Sequence, residues 1–176
     1  MKRYIFTGTP GSGKTSLLQQ LQRLGYAVIE EAATDVIALE QSCGNAEPWL
    51  HTDFIDKIVM MQQQRQLEAI GNIQLYDRSP ICTLALSRYL GYAPSDSLLE
   101  ELARIRRENI YQGQVFFIEN LGFVQPTAAR RISFENALTF ENIHKEVYLE
   151  LGYELINVPP EPLCERTQRI IEWMSR

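Results

Sequence analysis

No apolar stretch in this chain approaches the roughly 18 consecutive residues of a membrane-spanning helix, so no membrane partner is expected. Cysteine is scarce: Cys43, Cys82 and Cys164 are widely separated and lack metal-ligand spacing. That excludes a disulfide scaffold and a zinc ribbon, and it fits reduced thiols in a cytoplasmic protein. Histidine is scarcer still, and His51 and His144 each stand alone. Each reads as a surface or packing residue, not as a metal ligand. A basic surplus is also missing. The 17 Lys and Arg are outnumbered by 22 Asp and Glu, a net charge of −5, whereas a general nucleic-acid binder carries the opposite balance. Met1 leads directly into an apolar strand pattern, so no signal or transit segment is expected. There is no internal repeat and no low-complexity linker. What remains is 45 % hydrophobic and 22 % charged over 176 residues, the composition of one globular domain, residues 1–176, with a substantial core.

Against that ordinary background one run is highly specific. Gly8-Thr9-Pro10-Gly11-Ser12-Gly13-Lys14-Thr15 meets the phosphate-binding pattern G-x-x-x-x-G-K-[ST] at every fixed position, and Ser16 follows it. Lys2 to Phe6 before it reads as a short buried strand, and Ser16 to Leu24 after it as an amphipathic helix. Glycines allow the backbone to curl so that its N–H groups converge on a phosphate. The helix N-terminus adds about half a positive charge at the same place. Lys14 is expected to reach the β- and γ-phosphates and the Thr15 hydroxyl to ligate Mg²⁺. The expected ligand is a nucleoside triphosphate.

Further strands are expected at 26–29, 73–76, 114–118 and 153–158, with helices at 33–39, 53–70, 81–90, 97–109, 134–151 and 161–174. Thr52 reads as the cap of the 53–70 helix. Strands alternating with helices imply a three-layer α/β fold around a parallel sheet, with ligands at the strand ends.

Three acidic positions fall at such ends: Glu30 with Glu31, Asp77, and Glu119. A phosphotransferase needs one carboxylate near Mg²⁺ and often a second to orient or deprotonate the attacking hydroxyl. Asp77 is the candidate for the metal side, with Glu119 as its rival. Of Glu30 and Glu31, adjacent on an extended chain, only one can point into a site. Arg78 suits a phosphate contact, because guanidinium matches phosphate oxygens in pairs. Arg130 and Arg131 lie in an irregular segment, where they are either a lid that closes over the triphosphate or a solvated pair. The Arg104, Arg106 and Arg107 cluster, interleaved with Glu100, Glu101 and Glu108, reads as a solvated helix face laced with ion pairs. Trp49 is either a stacking platform for an aromatic acceptor or a surface anchor.

With these residues assembled, the chain resembles the small P-loop ATPase/kinase domains of AAA type, similar to the ribosylnicotinamide kinase domain of NadR and, more distantly, to nucleoside and thymidylate kinases. The resemblance rests on Thr7 to Thr15, Gly25 to Ala33 and Tyr76-Asp77-Arg78-Ser79-Pro80, with weaker agreement at 116–119 and 152–155. It implies a five-stranded sheet of order 2-3-1-4-5 and ATP with Mg²⁺ as the bound groups. It places Asp77 beside the phosphate loop, Arg78 and Glu30/Glu31 around an acceptor pocket, and Arg130 and Arg131 in a lid at about 121–136. After the fifth strand about one helix remains, too little for the helical lid domain of a remodelling motor. Two function classes are left: a kinase acting on a nucleoside-like or other small-molecule acceptor, and an NTP-hydrolysing switch acting on a protein partner. Homo-oligomers are compatible with either.

Overall fold

The computed structural model describes residues 1–121 and 134–176. Strands β1 Lys2–Thr7, β2 Ala27–Ile29, β3 Ile73–Asp77, β4 Gln114–Ile118 and β5 Glu154–Val158 form one parallel sheet in the order β2-β3-β1-β4-β5. This is the expected order. Among the described residues the sheet is flanked by α1 Lys14–Arg23, α2 Ala32–Ser42, α3 Asp53–Glu68, α4 Pro80–Tyr89, α5 Asp96–Glu108, α6 Phe134–Glu150 and α7 Leu163–Met174. A single 3-10 turn, Pro48–Leu50, precedes α3.

Both faces of the sheet are covered, which is why its central strands read as continuous apolar runs. Tyr4, Phe6, Leu75, Phe116 and Ile118 face α1 and α7, packing on Leu17, Leu18, Leu21, Ile170 and Met174. Trp173 closes that layer edge-on to Phe116, with ring centres 5.2 Å apart. The alternate residues Ile5, Tyr76 and Val115 face the other way, towards α3, α4, α5 and α6. Connections out of β1 and β4 run to opposite sides of the sheet, so a crevice opens above their C-terminal ends.

Three local features differ from the sequence expectation. Helix α1 starts at Lys14, directly after Gly13, whose left-handed backbone (φ 81°) makes the turn. Helix α7 starts at Leu163 and not at Glu161, because Pro162 disfavours helical backbone in the residue before it. Thr52 has helical backbone and no side-chain cap bond; the first turn of α3 is instead secured by the Phe54 N–H donating to the His51 carbonyl at 3.2 Å.

The charged face of α5 is solvated only in part. Arg106 and Arg107 are exposed, but Glu101 is only 4 % exposed. It faces α3, where the Gln63 amide donates to it at 2.8 Å and Arg104 pairs with it at 2.8 Å while reaching Gln66 at 2.7 Å. Helix α5 packs across α3 at this point, so part of the charged face is an interhelical polar seam. Cys43 and Cys164 are exposed, Cys82 is buried, and all three are free thiols. No helix among the described residues is long and apolar enough to cross a membrane.

Candidate active site

The phosphate loop joins β1 to α1. Gly8 has φ 132°, and Gly11 and Gly13 have φ 85° and 81°, conformations that L side chains rarely adopt. Gly8 has a second constraint: a Cβ there would lie 2.2 Å from the Ile118 carbonyl oxygen on β4. The Lys14 side chain is buried and folds back over the loop, with Nζ donating to the carbonyls of Thr9 at 3.0 Å and Gly8 at 3.3 Å. Burial, with Arg78 adding repulsion, lowers its pKa from 10.5 to about 8. Asp77 and Glu31 act in the opposite direction. The loop therefore holds a cation that lacks full compensation, which favours an incoming anion. Asn120, just beyond β4, donates to the Thr9 hydroxyl at 3.3 Å.

Beside the loop, β3 ends in Asp77 and turns sharply at Arg78, whose φ of 72° is one of two positive values at non-glycine residues among those described. Strained backbone of this kind persists where the surroundings over-determine it. Here the Arg78 N–H donates to the Phe6 carbonyl at 3.0 Å. Ser79 then caps α4 by accepting from the Ile81 N–H at 3.3 Å, and Pro80 takes the first helical position.

The turn aims the Arg78 guanidinium back across the sheet edge. Its Nε pairs with Glu31 at 2.5 Å. Burial opposes the charge on Arg78, but Glu31, Cys82 and Asp77 outweigh it and hold the group firmly protonated. Burial likewise opposes the charge on Glu31, but Arg78, Lys14 and a 3.0 Å bond from the Thr34 hydroxyl hold its carboxyl below the usual range. On its far side Arg78 meets His144, with Nη1 3.2 Å from Nε2. The His144 Nδ1 lies 2.9 Å from the Phe140 carbonyl. A carbonyl only accepts, so Nδ1 carries the hydrogen and Nε2 accepts from Arg78. Burial, reinforced by Arg78, lowers the His144 pKa to about 3, in keeping with a neutral ring.

These groups line one end of a cavity of about 380 Å³. Lys14, Thr15, Asp77, Arg78 and Glu31 stand at the phosphate-loop end. The chamber beyond is walled by Trp49, Phe54, Ile58, Leu86, Tyr89 and Phe140. One amide interrupts the apolar wall: the Gln62 oxygen accepts from the Thr83 hydroxyl at 2.8 Å, which leaves the Gln62 nitrogen as a donor. Behind the wall the Tyr148 hydroxyl lies 3.0 Å from both Ser79 Oγ and Cys82 Sγ.

The structure thus brings together Lys14, Thr15, Asp77, Arg78 and Glu31. Glu30 is exposed and does not line the cavity; its contribution is a backbone carbonyl that accepts from Arg65 at 2.8 Å. Glu119 extends the ladder to β5, its N–H donating to Val158 at 3.0 Å, and does not line the cavity. Trp49 is half-buried and lines the chamber. Arg130 and Arg131 lie outside the described residues, as does most of the 121–136 lid segment. Sequence reading passed over Gln62 and gave His144 only as a surface or packing residue; it is buried and packs on Phe140, and its contact with Arg78 was not foreseen. The signal for His144 was its place in a Phe140, His144, Tyr148 stripe at helical spacing, a polar residue on an inward face. Thr15 and Asp77 suit Mg²⁺ by donor chemistry, a hydroxyl and a carboxylate oxygen. No group of three or more His, Cys, Asp or Glu among the described residues could hold a metal, and an ion that keeps several waters does not need one.

Residues 3–166 match the family model described as AAA domain. No curated protein sequence matches the chain. Among solved structures, it is similar to a deoxyadenosine kinase from M. mycoides with bound dATP, at 13 % identity and TM-score 0.65, with 100 % of each chain covered. The same enzyme with dCMP and dCDP superposes with TM-score 0.62 at 12 % identity, with 98 % of each chain covered. A NadR protein in complex with NAD and AMP-PNP gives TM-score 0.71 at 16 % identity; 99 % of this chain is covered, but only 50 % of that one. At such identities the likeness is one of fold, that of P-loop kinases. The family match spans nearly the whole chain and includes the phosphate loop, and the chain belongs to the AAA domain family as a P-loop nucleotide-binding domain.

Proposed function

We propose that residues 1–176 act as one ATP-dependent kinase domain that transfers the γ-phosphoryl group to a hydroxyl of a planar, nucleoside-like acceptor. The observation that carries this reading is the continuity of one cavity from Lys14, Thr15 and Asp77 to an aromatic chamber, with the Glu31–Arg78 pair at the junction. A hydrolytic switch has no use for such a chamber. The kinases and the NadR protein of similar fold, with their nucleotide complexes, support the same choice.

In this mechanism the phosphate loop and Lys14 hold the triphosphate, and the aromatic walls seat the acceptor's flat end against the Gln62 amide. Thr15, with Asp77 directly or through water, would hold Mg²⁺, which would supply positive charge to offset that of the phosphates. The acceptor hydroxyl donates to the Glu31 carboxylate and faces the γ-phosphorus. Its oxygen forms the new P–O bond as the bond to the β,γ-bridging oxygen breaks, ADP departs, and the hydroxyl proton passes to Glu31. A carboxylate held below its usual pKa is a weak base, which suffices because phosphoryl transfer is largely dissociative and the proton leaves late. Arg78, kept in place by Glu31 and His144, supplies fixed positive charge beside the transferred group.

The test is turnover with labelled ATP, Mg²⁺ and a panel of nucleosides, nucleotides and cofactor precursors. A phosphorylated acceptor above water hydrolysis is expected. Glu31→Gln should lower transfer by about 10²–10⁴ while slow ATP hydrolysis persists, and Glu30→Gln should leave both unchanged. No acceptor-dependent turnover, with Glu31 dispensable for hydrolysis, would transfer the protein to the nucleotide-switch class.

A further inference from the structure

Arg166 stands in the first turns of α7, is 3 % exposed, and extends its guanidinium to the back of the phosphate loop. Its Nη1 donates to the Ser12 carbonyl at 3.0 Å. Among the described residues its Nε and Nη2 have no hydrogen-bond partner and no carboxylate forms an ion pair with it; Glu161 and Glu119 act only at a distance. Burial lowers its pKa from the usual arginine value. A buried cation satisfied by one neutral carbonyl is unfavourable for folding, so stability does not explain it. The space it occupies is also specified by the loop: a Cβ on Gly13 would lie 3.1 Å from Arg166 Nη1. Gly13 is therefore required both by its left-handed backbone and by the arginine against it.

The bonded carbonyl is informative. Ser12 C=O and Gly13 N–H belong to one trans peptide, so they point in opposite directions. A carbonyl anchored outward to α7 directs the Gly13 N–H into the concave side of the loop, where converging amides hold phosphate. We propose that Arg166 is a positioning residue for nucleotide binding: the C-terminal helix clamps the Ser12–Gly13 peptide in its anion-binding orientation and polarises it with a fixed charge. Arg166 does not touch the nucleotide in this arrangement; it acts through the peptide. The inference rests on the phosphate-loop reading and is independent of which acceptor is used.

The experiment compares wild type, Arg166→Gln, Arg166→Lys and, as a control on the exposed side of the same helix, Arg169→Gln. A fluorescent ATP analogue with Mg²⁺ is the probe, displaced by ADP, by inorganic tripolyphosphate or by adenosine. Arg166→Gln should weaken ADP and tripolyphosphate about tenfold or more, the loss of one charge-assisted bond, and leave adenosine unchanged. Lys, which keeps the charge, should restore part of the affinity, and Arg169→Gln should match wild type. In ¹⁵N-labelled protein the Gly13 amide should shift strongly on Mg·ADP addition in wild type and weakly in Arg166→Gln, at a melting temperature no lower than wild type. Equal loss for adenosine and tripolyphosphate, a loss that follows a fall in melting temperature, or unchanged binding would each overturn the proposal. If Arg166→Gln fails to fold, a partial loss for ADP and tripolyphosphate in Arg166→Lys, with adenosine unchanged and a weakened Gly13 shift, would still support the clamp, and full affinity or an adenosine-inclusive loss would refute it. Failure of wild type to bind the probe would instead count against the phosphate-loop reading itself.

Discussion

Lys14 shows how a single residue anticipates its ligand. It donates to two carbonyls that cannot neutralise it, and burial lowers its pKa to about 8. Between about 8 and 10.5 the unfolded chain binds the extra proton, so this group alone makes stability rise with pH across that window. A bound triphosphate reverses the imbalance and restores the charge. Calorimetry at pH 8.5 in buffers of different ionisation enthalpy should therefore show uptake of roughly 0.7 proton per Mg·ATP, given a free-state pKa of about 8. Lys14→Arg should show none, since arginine stays protonated, and Lys14→Ala should lose ten- to a hundredfold in affinity, about 1.5–3 kcal/mol. His144 works in the acid range. Its folded pKa of about 3 lies below the ordinary 6.5, so the unfolded state binds more protons between those values and stability falls as pH drops through them. By pH 5 the loss is about 2 kcal/mol, before the Glu31 contribution, which lies below the usual carboxylate pKa of 4.5. His144→Gln should flatten melting temperature against pH between 6.5 and 5, and the activity profile of wild type should show no histidine titration there.

At the scale of elements, the site is built from junctions and not from any one helix or strand. Glu31 stands between β2 and α2, Arg78 directly follows β3, the phosphate loop follows β1, and α6 supplies His144. The tightest junction is β1 against β4, where Gly8 passes the Ile118 carbonyl. Gly8→Ala adds a methyl group at 2.2 Å from that oxygen and forces alanine to φ 132°. Both strands must separate to admit it, so destabilisation of about 3 kcal/mol or more is expected, read from denaturant unfolding. Gly25→Ala is the contrasting case: φ is 95° but nothing lies within 4 Å of the added carbon, so only the backbone penalty of about 1–2 kcal/mol should appear.

For the whole molecule, the consequence of a site assembled from so many elements is that ligand binding stabilises all of them together. At a concentration one hundred times its dissociation constant, Mg·ATP should add about 2.7 kcal/mol, or about 5–10 °C in melting temperature for a chain of this size. Lys14→Ala, ten- to a hundredfold weaker, should cut that increment to about 0.4–1.4 kcal/mol at the same concentration. An acceptor should add a second increment through the aromatic chamber, and Phe140→Ala should remove that increment while retaining the one from nucleotide. A shift with nucleotide alone and none with any acceptor would argue for the switch.

The phosphate loop was legible because its chemistry is local: backbone conformations that need glycine, and a lysine one residue on, are written in eight consecutive positions. The parallel sheet was legible for a similar reason, since strands buried on both faces appear as apolar runs separated by helical patterns. Strand order followed from the resemblance and is matched by the pairing. What tertiary structure alone decided concerns side chains that meet across long stretches of chain. Sequence left Glu30 and Glu31 equivalent; the salt bridge from Arg78 chooses Glu31, and Glu30 is left at the surface. Glu119 read as a rival to Asp77 because both follow an apolar strand, and only the cavity separates them, lined by one and not the other. His144 and Arg166 lie 66 and 154 positions from the groups they hold. The helical stripe marks His144 as inward-facing but names no partner for it, and the role of each exists only once folding places a guanidinium or a carbonyl beside it. Local conformation is governed by neighbours in the chain, whereas desolvation and partner choice are governed by neighbours in space, which is why the loop could be read in advance and the groups that orient it could not.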